Sequence, residues 1–185
     1  LKNKYESAQG GLYAFYNMGS HNFSDGWVSE DVNAGINIFQ GFSPWKGNTV
    51  TAGFDFKYYG GIGSFGFLAD TFLTVQETAA YLLSDQRIGK RVSINFGVRY
   101  ENHSVYKGEV VPQLGLTVKP TRTTTIKGLA SKGFRSPTIM DLYLFAPNAD
   151  LGPERLWNYE LSASQIIGTN ANATLTGYMI NGSNT

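Results

Sequence analysis

The sequence alternates between apolar and polar residues with a period of two over most of its 185 residues. In segment 49–59, Val50 and Phe54 fall on one face, whereas Thr51 and Asp55 fall on the other. An amphipathic helix would place apolar residues every three or four positions, and these segments do not follow that spacing. The pattern therefore predicts β-strands that have one apolar face and one polar face.

The length of the alternating segments narrows the fold class. The strands are predicted near 7–18, 30–40, 48–59, 71–84, 91–102, 110–119, 122–133, 157–166 and 172–181. Most of these roughly nine strands have about ten to twelve residues, whereas strands of soluble sheets usually have about five or six. A strand that crosses a membrane at a tilt of about 45° needs roughly nine to eleven residues. We therefore expect an all-β chain that forms an antiparallel, up-and-down transmembrane β-barrel segment.

The predicted connections alternate between short turns and longer loops. The long loops are predicted at 19–29, 60–70, 103–109 and 134–156, and the short turns include 84–87, 119–122 and 168–170. Short turns at one end and long loops at the other are typical of outer-membrane barrels, whose long loops lie outside the cell. The polar face would then line a wet or plug-filled lumen. Its ionisable residues include Asp55, Lys57, Arg99, Glu101, Lys127 and Glu160.

Composition excludes several classes of function. The formal net charge is +1, which gives no electrostatic reason to expect a nucleic-acid partner. There is no cysteine, so a disulfide framework and a cysteine nucleophile are both excluded. No His/Asp cluster has the spacing of metal ligands, and we predict no metal and no cofactor.

The region around the longest loop carries a series of short motifs. It contains GFRSP at 133–137, NADLGPE at 148–154 and NYE at 158–160. In this order and spacing, the motifs resemble the barrel of TonB-dependent outer-membrane receptors. That family has Gly-Phe-Arg-x-Pro, then Asn-Pro-x-Leu-x-Pro-Glu, then Asn-Tyr-Glu. The chain departs from the family at Ala149 and Gly152, and the resemblance is specific over 90–181 but generic over 1–89.

The resemblance implies a function in nutrient import. Receptors of this family are 22-stranded barrels filled by an N-terminal plug, and they reside in the bacterial outer membrane. They bind a scarce nutrient, such as a siderophore or cobalamin, and import it with energy relayed through TonB. They are transporters rather than enzymes. The implied partners are outer-membrane lipid, the small-molecule nutrient, the plug and the TonB complex.

A sheet of about nine strands cannot enclose a lumen that is built for 22. The chain also shows no plug domain, no TonB box and no aromatic C-terminal strand end. We therefore expect an incomplete barrel, an internal fragment of a receptor that does not transport by itself.

Two sets of residues are predicted to form the site around the long loop. Pro137 cannot donate to a strand ladder and should end regular pairing, while Arg135 could bind Asp141, Glu154 or loop carbonyls. The residues expected to shape the loop are Phe134, Arg135, Pro137, Pro153 and Glu154. The residues expected to contact a ligand are Arg135, Tyr143, Phe145 and Asn148, because loops on a rigid scaffold carry recognition. Arg135 belongs to both sets, and its role is left open between the two.

The two histidines give little support to a haem ligand. The haem-uptake branch of the family typically has a histidine between the Gly-Phe-Arg-x-Pro motif and the Asn-Pro-x-Leu-x-Pro-Glu motif. In this sequence no histidine lies between Pro137 and Asn148. His21 and His103 are expected in outer loops as ordinary solvent-exposed residues. Axial haem ligation by His103 is a minor alternative.

Three other classes of function remain as alternatives. A barrel enzyme could use His21 with Asp25, or His103 with Glu101, as a base and its orienting group, although no nucleophile stands out. A soluble β-sandwich binding module would bury the apolar face between two layers. A small passive porin would share the outer-membrane location without energised import.

Overall fold

The computed structural model contains one antiparallel sheet whose ten strands follow the order of the sequence. It describes residues 2–5, 8–24, 26–64, 72–138, 141–142, 148 and 150–183. The strands are β1 (Lys2–Tyr5), β2 (Ala8–Asn22), β3 (Val28–Phe42), β4 (Asn48–Ser64), β5 (Leu73–Ile88), β6 (Val92–His103), β7 (Lys107–Val118), β8 (Thr124–Arg135), β9 (Glu154–Ile167) and β10 (Ala171–Ser183). Each strand pairs with its neighbours in sequence, and β1 and β10 are the two edges. The fold is the predicted all-β, up-and-down segment of an incomplete barrel.

The structure corrects the sequence prediction at three connections. The loop predicted at 19–29 is shorter, because β2 continues to Asn22 and β3 begins at Val28, so His21 lies in β2 and not in a loop. The turn predicted at 84–87 lies at 89–91, because β5 continues to Ile88.

Residues 103–109 were predicted to form a long loop, but β6 continues to His103 and β7 begins at Lys107. Lys107 has a positive φ of 68°, a left-handed conformation that lets the chain reverse within residues 104–106. The pairing of Glu101 with Glu109 then continues the ladder up to this turn. The connection at 136–153 remains the longest in the sheet.

The strand register brings the apolar residues of successive strands onto one face. Ile36 pairs with Phe56, and Leu82 pairs with Val98. This apolar face carries Leu12, Ile36, Phe54, Leu82, Val98, Leu114 and Tyr159, and the opposite polar face carries Asn37, Asp55, Tyr81, Arg99 and Glu101. A one-residue slip at any strand pair would move a whole row to the other side, so this agreement specifies the register.

Large apolar side chains on the apolar face are exposed. Met18 is 74% exposed and Tyr16 is 65% exposed, and Phe54 and Leu114 are also exposed. Soluble monomers rarely expose a contiguous apolar surface of this extent. In a lipid bilayer the same residues would contact acyl chains, as the lipid-facing residues of barrels do. Among the described residues, no helix is long and apolar enough to cross a membrane.

The fourth predicted strand had one residue that did not fit its neighbours. Glu77 shares a face with Val75 and Ala79, although glutamate and these small apolar residues usually belong to different environments. In the structure all three lie on the polar face, and Val75 and Ala79 are buried there. Small apolar side chains on this face leave room for the polar groups of the neighbouring strands.

One glycine of β4 allows an aromatic ring to lie against the backbone of the polar face. Gly53 pairs with Tyr81 of β5, and a Cβ added at Gly53 would lie 2.2 Å from Cζ of Tyr81. Placing an aromatic ring over a strand glycine covers the backbone that the glycine leaves exposed. The Tyr81 hydroxyl then reaches the Asn37 amide, at 3.4 Å.

Candidate functional site

A buried ion cluster occupies the middle of the polar face. The Arg99 guanidinium of β6 donates to Glu101 Oε2 from Nη2 at 2.8 Å and from Nε at 3.0 Å. The same guanidinium binds Asp55 of β4, and the Asn37 amide of β3 also donates to Asp55. One cation thus neutralises two carboxylates, which lie on strands separated by β5. Removing Arg99 would leave both carboxylates unpaired on a largely covered surface.

A second cluster lies on the polar face, nearer to the loop end of the strands than the first. The Tyr59 hydroxyl donates to Glu77 Oε1 at 2.9 Å, and the Lys57 ammonium lies 3.6 Å from Glu77 Oε2. His103 Nε2 lies 3.7 Å from Glu77 Oε1 and 3.5 Å from the Tyr59 hydroxyl. These residues come from β4, β5 and β6, so the cluster links three neighbouring strands.

The structure corrects the prediction that His103 is an exposed loop residue. His103 is the last residue of β6 and is only 1% exposed. The ring of Tyr106 stacks on it, with centroids 4.1 Å apart and planes 13° apart. The short turn at 104–106 folds Tyr106 back over the strand end, which is why the imidazole is covered. Both ring nitrogens also have partners, since Nδ1 accepts from the Val105 N–H at 3.2 Å and Nε2 lies beside Glu77 and Tyr59, so neither is open for the haem ligation that was considered.

Tyr106 also holds the beginning of the long loop. Its hydroxyl lies 2.6 Å from Ser136 Oγ, and Phe134 packs against its ring edge-to-face at 6.3 Å. Burial raises the pKa of Tyr106 to about 12, so its hydroxyl stays protonated at physiological pH. The β6–β7 turn therefore fixes the position at which the chain leaves β8.

A third ion cluster forms where β7 and β8 separate. The last pair between these strands is Gln113 with Ser131, and Pro112 has no N–H with which to continue the ladder. Beyond this point, Glu109 of β7 accepts from Arg155 Nε at 2.9 Å and also binds Lys132. Glu109 is 4% exposed, so its charge depends on both cations. By strand alternation, Lys132 and Arg155 belong to the apolar face, and they reach Glu109 only because the ladder has ended.

The first turn of the long loop is stabilised by a capping box. The Thr138 N–H and hydroxyl both donate to Asp141 Oδ2 at 2.9 Å, and the Asp141 N–H donates to Thr138 Oγ1 at 3.2 Å. These hydrogen bonds, first of all the one from the Thr138 backbone, hold the pKa of the Asp141 carboxyl below its ordinary value. Leu142 follows in the helical turn and is fully buried. The loop therefore begins as an ordered, packed segment.

The residues predicted to shape the loop meet at its two ends. Arg135 Nε and Nη2 donate to Glu154 Oε2 and Oε1 at 3.0 and 2.8 Å, a bidentate pair between the last residue of β8 and the first residue of β9. Pro137 lies two residues after Arg135, and Pro153 directly precedes Glu154. Both prolines are buried, and Pro153 is under 2% exposed. Phe134 lies against Tyr106.

The residues predicted to contact a ligand are only partly covered by the structure. Tyr143 and Phe145 lie outside the described residues. Asn148 is exposed, and its side-chain oxygen accepts from the Asp150 N–H at 3.1 Å. Arg135 is 65% exposed at its side chain, so its guanidinium remains accessible while it binds Glu154.

The structure also separates the pairs considered for an enzyme. His21 Nε2 lies 2.8 Å from Asp31 Oδ1, and Asp25 lies outside the described residues. His103 contacts Glu77 instead of Glu101. Within the described part of the chain, no group of three or more His, Cys, Asp and Glu residues could hold a metal ion.

Sequence reasoning missed the residues that connect the loop to the wall. The alternation correctly assigns Glu109 to the polar face. Its two cations come from β8 and β9, at positions that the alternation assigns to the apolar face. Tyr106 was placed inside a loop, so its contacts with His103 and Ser136 could not be foreseen. The sequence signal that could have indicated this cluster is a cation, such as Lys132, at a position that the alternation assigns to the apolar face.

We expect Tyr106→Phe to loosen the beginning of the loop without disturbing the aromatic packing. The substitution removes the hydrogen bond to Ser136 Oγ, which contributes about 1 kcal/mol. The Leu142 N–H, which donates to the Thr138 carbonyl at 3.0 Å, should then exchange with solvent roughly fivefold faster. Hydrogen exchange by mass spectrometry measures this rate, and Tyr178→Phe on the edge strand β10 is the matched control. Unchanged exchange in Tyr106→Phe would show that the hydroxyl does not hold the loop.

The fold and the loop geometry define a class of protein, an outer-membrane β-barrel with an elaborated outer loop. The family described as "TonB dependent receptor-like, beta-barrel" matches residues 2–185. The chain belongs to this family. The match extends over the N-terminal half, where the motifs alone gave only a generic resemblance. Members of the family are transporters of the bacterial outer membrane and are not enzymes.

Solved structures of siderophore receptors have the same fold. The siderophore receptor PirA from Pseudomonas aeruginosa superimposes with a TM-score of 0.89 at 15% identity, over 98% of this chain and 37% of PirA. The ferric enterobactin receptor PfeA (G324V mutant) from the same organism gives a TM-score of 0.81 at 13% identity, over 98% of this chain and 33% of PfeA. The FrpB iron transporter from Neisseria meningitidis gives 0.71 at 13% identity, over 94% of this chain and 34% of FrpB. No curated protein sequence matches the chain. The chain thus spans about a third of the length of the receptors whose fold it shares.

Proposed function

We propose that this chain is a barrel segment of an active transporter that binds a scarce nutrient at the cell surface and imports it with energy relayed through TonB. The nutrient is a ferric siderophore, cobalamin or a similarly scarce compound. The segment supplies part of the barrel wall and one outer loop, while the plug and the TonB contact belong to other parts of the receptor. By itself the segment does not transport.

The observation that carries this proposal is the loop at 136–153 on its packed base. Tyr106, the Thr138–Asp141 capping box and the Arg135–Glu154 pair fix the start and end of this loop. A loop with ordered ends on a rigid barrel can present side chains at a defined position above the lumen. The family match and the three iron-related receptors of the same fold support the same function.

The import proposal is tested in cells that depend on the intact receptor. We expect a ⁵⁵Fe-labelled siderophore or labelled cobalamin to bind the cells with or without a protonophore, and to accumulate inside only without it. The difference follows because binding needs no energy, whereas TonB-dependent uptake needs the proton gradient. Uptake that persists at full rate with the protonophore would indicate a passive porin and contradict the proposal.

We propose that Tyr143, Phe145, Asn148 and Arg135 contact the nutrient. Replacing Tyr143 and Phe145 together by alanine should weaken nutrient binding by roughly tenfold or more, because buried aromatic contacts often dominate binding energy. Equilibrium binding to the purified intact receptor measures the effect. Tyr178→Ala on β10 is the control, since it removes an exposed aromatic ring outside the loop. Unchanged affinity in the double variant would remove both residues from the site.

A further inference from the structure

The end of the sheet opposite the long loop carries an unbalanced positive charge. Four described turns lie there, at 43–47, 89–91, 119–123 and 168–170. Six of the 15 lysines and arginines of the chain lie in these turns or within three residues of them. They are Lys46, Arg87, Lys90, Arg91, Lys119 and Arg122. The described residues of the same region include no carboxylate; Asp85, one residue further along β5, binds the Asn95 amide. We name these six residues the basic rim.

The cations of the basic rim differ from those at the loop end. All six are exposed, and none forms an ion pair with another described residue. At the loop end, in contrast, Lys132, Arg135 and Arg155 each bind a glutamate. The rim charges are therefore available to an external anion, whereas these three cations at the loop end are already neutralised.

The basic rim lies directly at the border of the apolar face. The exposed apolar side chains Phe42, Ile88 and Ile167 reach the last residues of their strands. Lys46 follows Phe42, and Lys90 follows Ile88, within four residues, which at about 3.3 Å per residue is roughly 10 Å. This is the depth of the lipid headgroups next to the hydrocarbon core. Lysine and arginine side chains can also extend from the apolar border towards the headgroups.

An exposed tryptophan marks the same level. Trp45 is 62% exposed in the first of these turns, and its indole N–H donates to Gln86 Oε1 at 2.7 Å. Tryptophan is enriched at membrane–water interfaces, where its ring contacts the apolar layer and its N–H remains hydrogen-bonded. From the apolar face outwards, the exposed apolar side chains come first, then the tryptophan, and then the unpaired cations. This is the order expected at a bilayer surface.

We infer that the basic rim binds the phosphates of anionic phospholipid headgroups in the leaflet that contacts the turn end of the barrel. Each cation near such a surface contributes electrostatic attraction that falls off within a Debye length. The rim anchors the barrel at a fixed depth and enriches anionic lipid around it. This role is separate from nutrient import, and it holds for any function of the barrel.

The inference is tested with the intact receptor in phosphatidylcholine vesicles that contain trace spin-labelled phosphatidylglycerol or phosphatidylcholine. Electron paramagnetic resonance gives the relative association of the two lipids with the barrel. We expect the Lys90→Gln/Lys119→Gln variant to lower the preference for phosphatidylglycerol by about threefold at low salt. Lys107→Gln/Lys127→Gln removes the same charge at the loop end and on the polar face of β8, where neither cation faces the lipid headgroups, and it should leave the preference unchanged. High salt should weaken the preference of the unmodified receptor.

Three outcomes would overturn the inference. Two of them are the absence of any preference for phosphatidylglycerol in the unmodified receptor and an equal loss of that preference in both double variants. The third is binding of polyglutamate to the detergent-solubilised receptor that needs Lys90 and Lys119, without a lipid preference. That result would assign the rim to an acidic soluble partner instead of the membrane.

Discussion

Replacing Glu109 by glutamine should lower the free energy of unfolding of the intact receptor by about 3 kcal/mol. The Glu109 carboxylate is nearly fully buried between Lys132 and Arg155. Lys132 comes from β8, which no longer pairs with β7 at this level, and Arg155 comes from β9, which is not a neighbour of β7. The variant leaves two cations close together without a counter-charge. Unpaired charges in a covered site cost much more than an exposed ion pair contributes. Denaturant unfolding in detergent micelles, followed by tryptophan fluorescence, measures the change.

Glu154→Gln is the matched control for this prediction. It makes the same chemical change at another glutamate that binds an arginine, Arg135, but this pair is exposed. Exposed ion pairs contribute little to stability because water screens the charges, so the control should unfold almost as the unmodified receptor does. If both variants lose the same stability, the cluster around Glu109 does not hold the upper parts of β7, β8 and β9 together.

Arginine at position 82 should destabilise the barrel, whereas arginine at position 83 should be tolerated. Leu82 and Leu83 are adjacent in β5 and almost equally exposed, at 41% and 38%, but they lie on opposite faces. An arginine on the lipid face near the bilayer midplane costs about 2–4 kcal/mol, and the cost on the lumen side is small. Unfolding of the intact receptor in lipid vesicles measures the difference between Leu82→Arg and Leu83→Arg.

The exposure of the two leucines makes this comparison informative. A solvent-exposed sheet in water would tolerate both arginines, because neither side chain is buried by protein. A soluble sandwich with its apolar face in the core would reject Leu82→Arg in water as well as in lipid. If the side chain at position 82 faces lipid, the loss of stability caused by Leu82→Arg should be smaller in a small, deformable detergent micelle than in vesicles. A larger penalty for Leu83→Arg in vesicles would contradict the assignment of the faces.

The alternation of side chains was enough to predict nine of the ten strands, their faces and the type of sheet. The four-residue strand β1 was not predicted, because it is too short to show a period. In β4 and β6, where valine, isoleucine and phenylalanine alternate with charged residues, the period leaves no other interpretation. The ends of the strands were less predictable. The conformation of Lys107, which shortens the loop after β6, depends on how β6 and β7 already pair, and no local motif announces it.

The candidate site was predictable only where its contacts are local in sequence or lie in a familiar motif. The bidentate pair of Arg135 and Glu154 joins the motif at 133–137 to the motif at 148–154, and both motifs are visible in the sequence. The burial of His103 requires Tyr106 to fold back, and the position of Tyr106 depends in turn on Ser136 from another strand end. Contacts of this kind arise from the register of several strands together, which the pattern of a single segment does not contain.

The first two clusters on the polar face, followed by Tyr106, lead from the middle of the wall to the loop. Arg99 lies in the middle, His103 and Tyr106 lie next to it in β6 and the following turn, and Ser136 begins the loop. The long loop is therefore attached to the wall by specific polar contacts as well as by its two strands. This attachment is the structural basis of the proposed role of the loop in holding a nutrient.

The most direct test of the account measures which side chains of one strand face lipid. Single cysteines can be introduced along 92–103 in β6 and spin-labelled one at a time in the intact receptor in vesicles; the chain itself has no cysteine, and any cysteine elsewhere in the receptor is first replaced by serine. Accessibility to oxygen, which concentrates in the hydrocarbon, should peak at Ile94, Phe96, Val98 and Tyr100 and fall at the positions between them. Peaks at the intervening positions, or the absence of a period of two, would contradict the account.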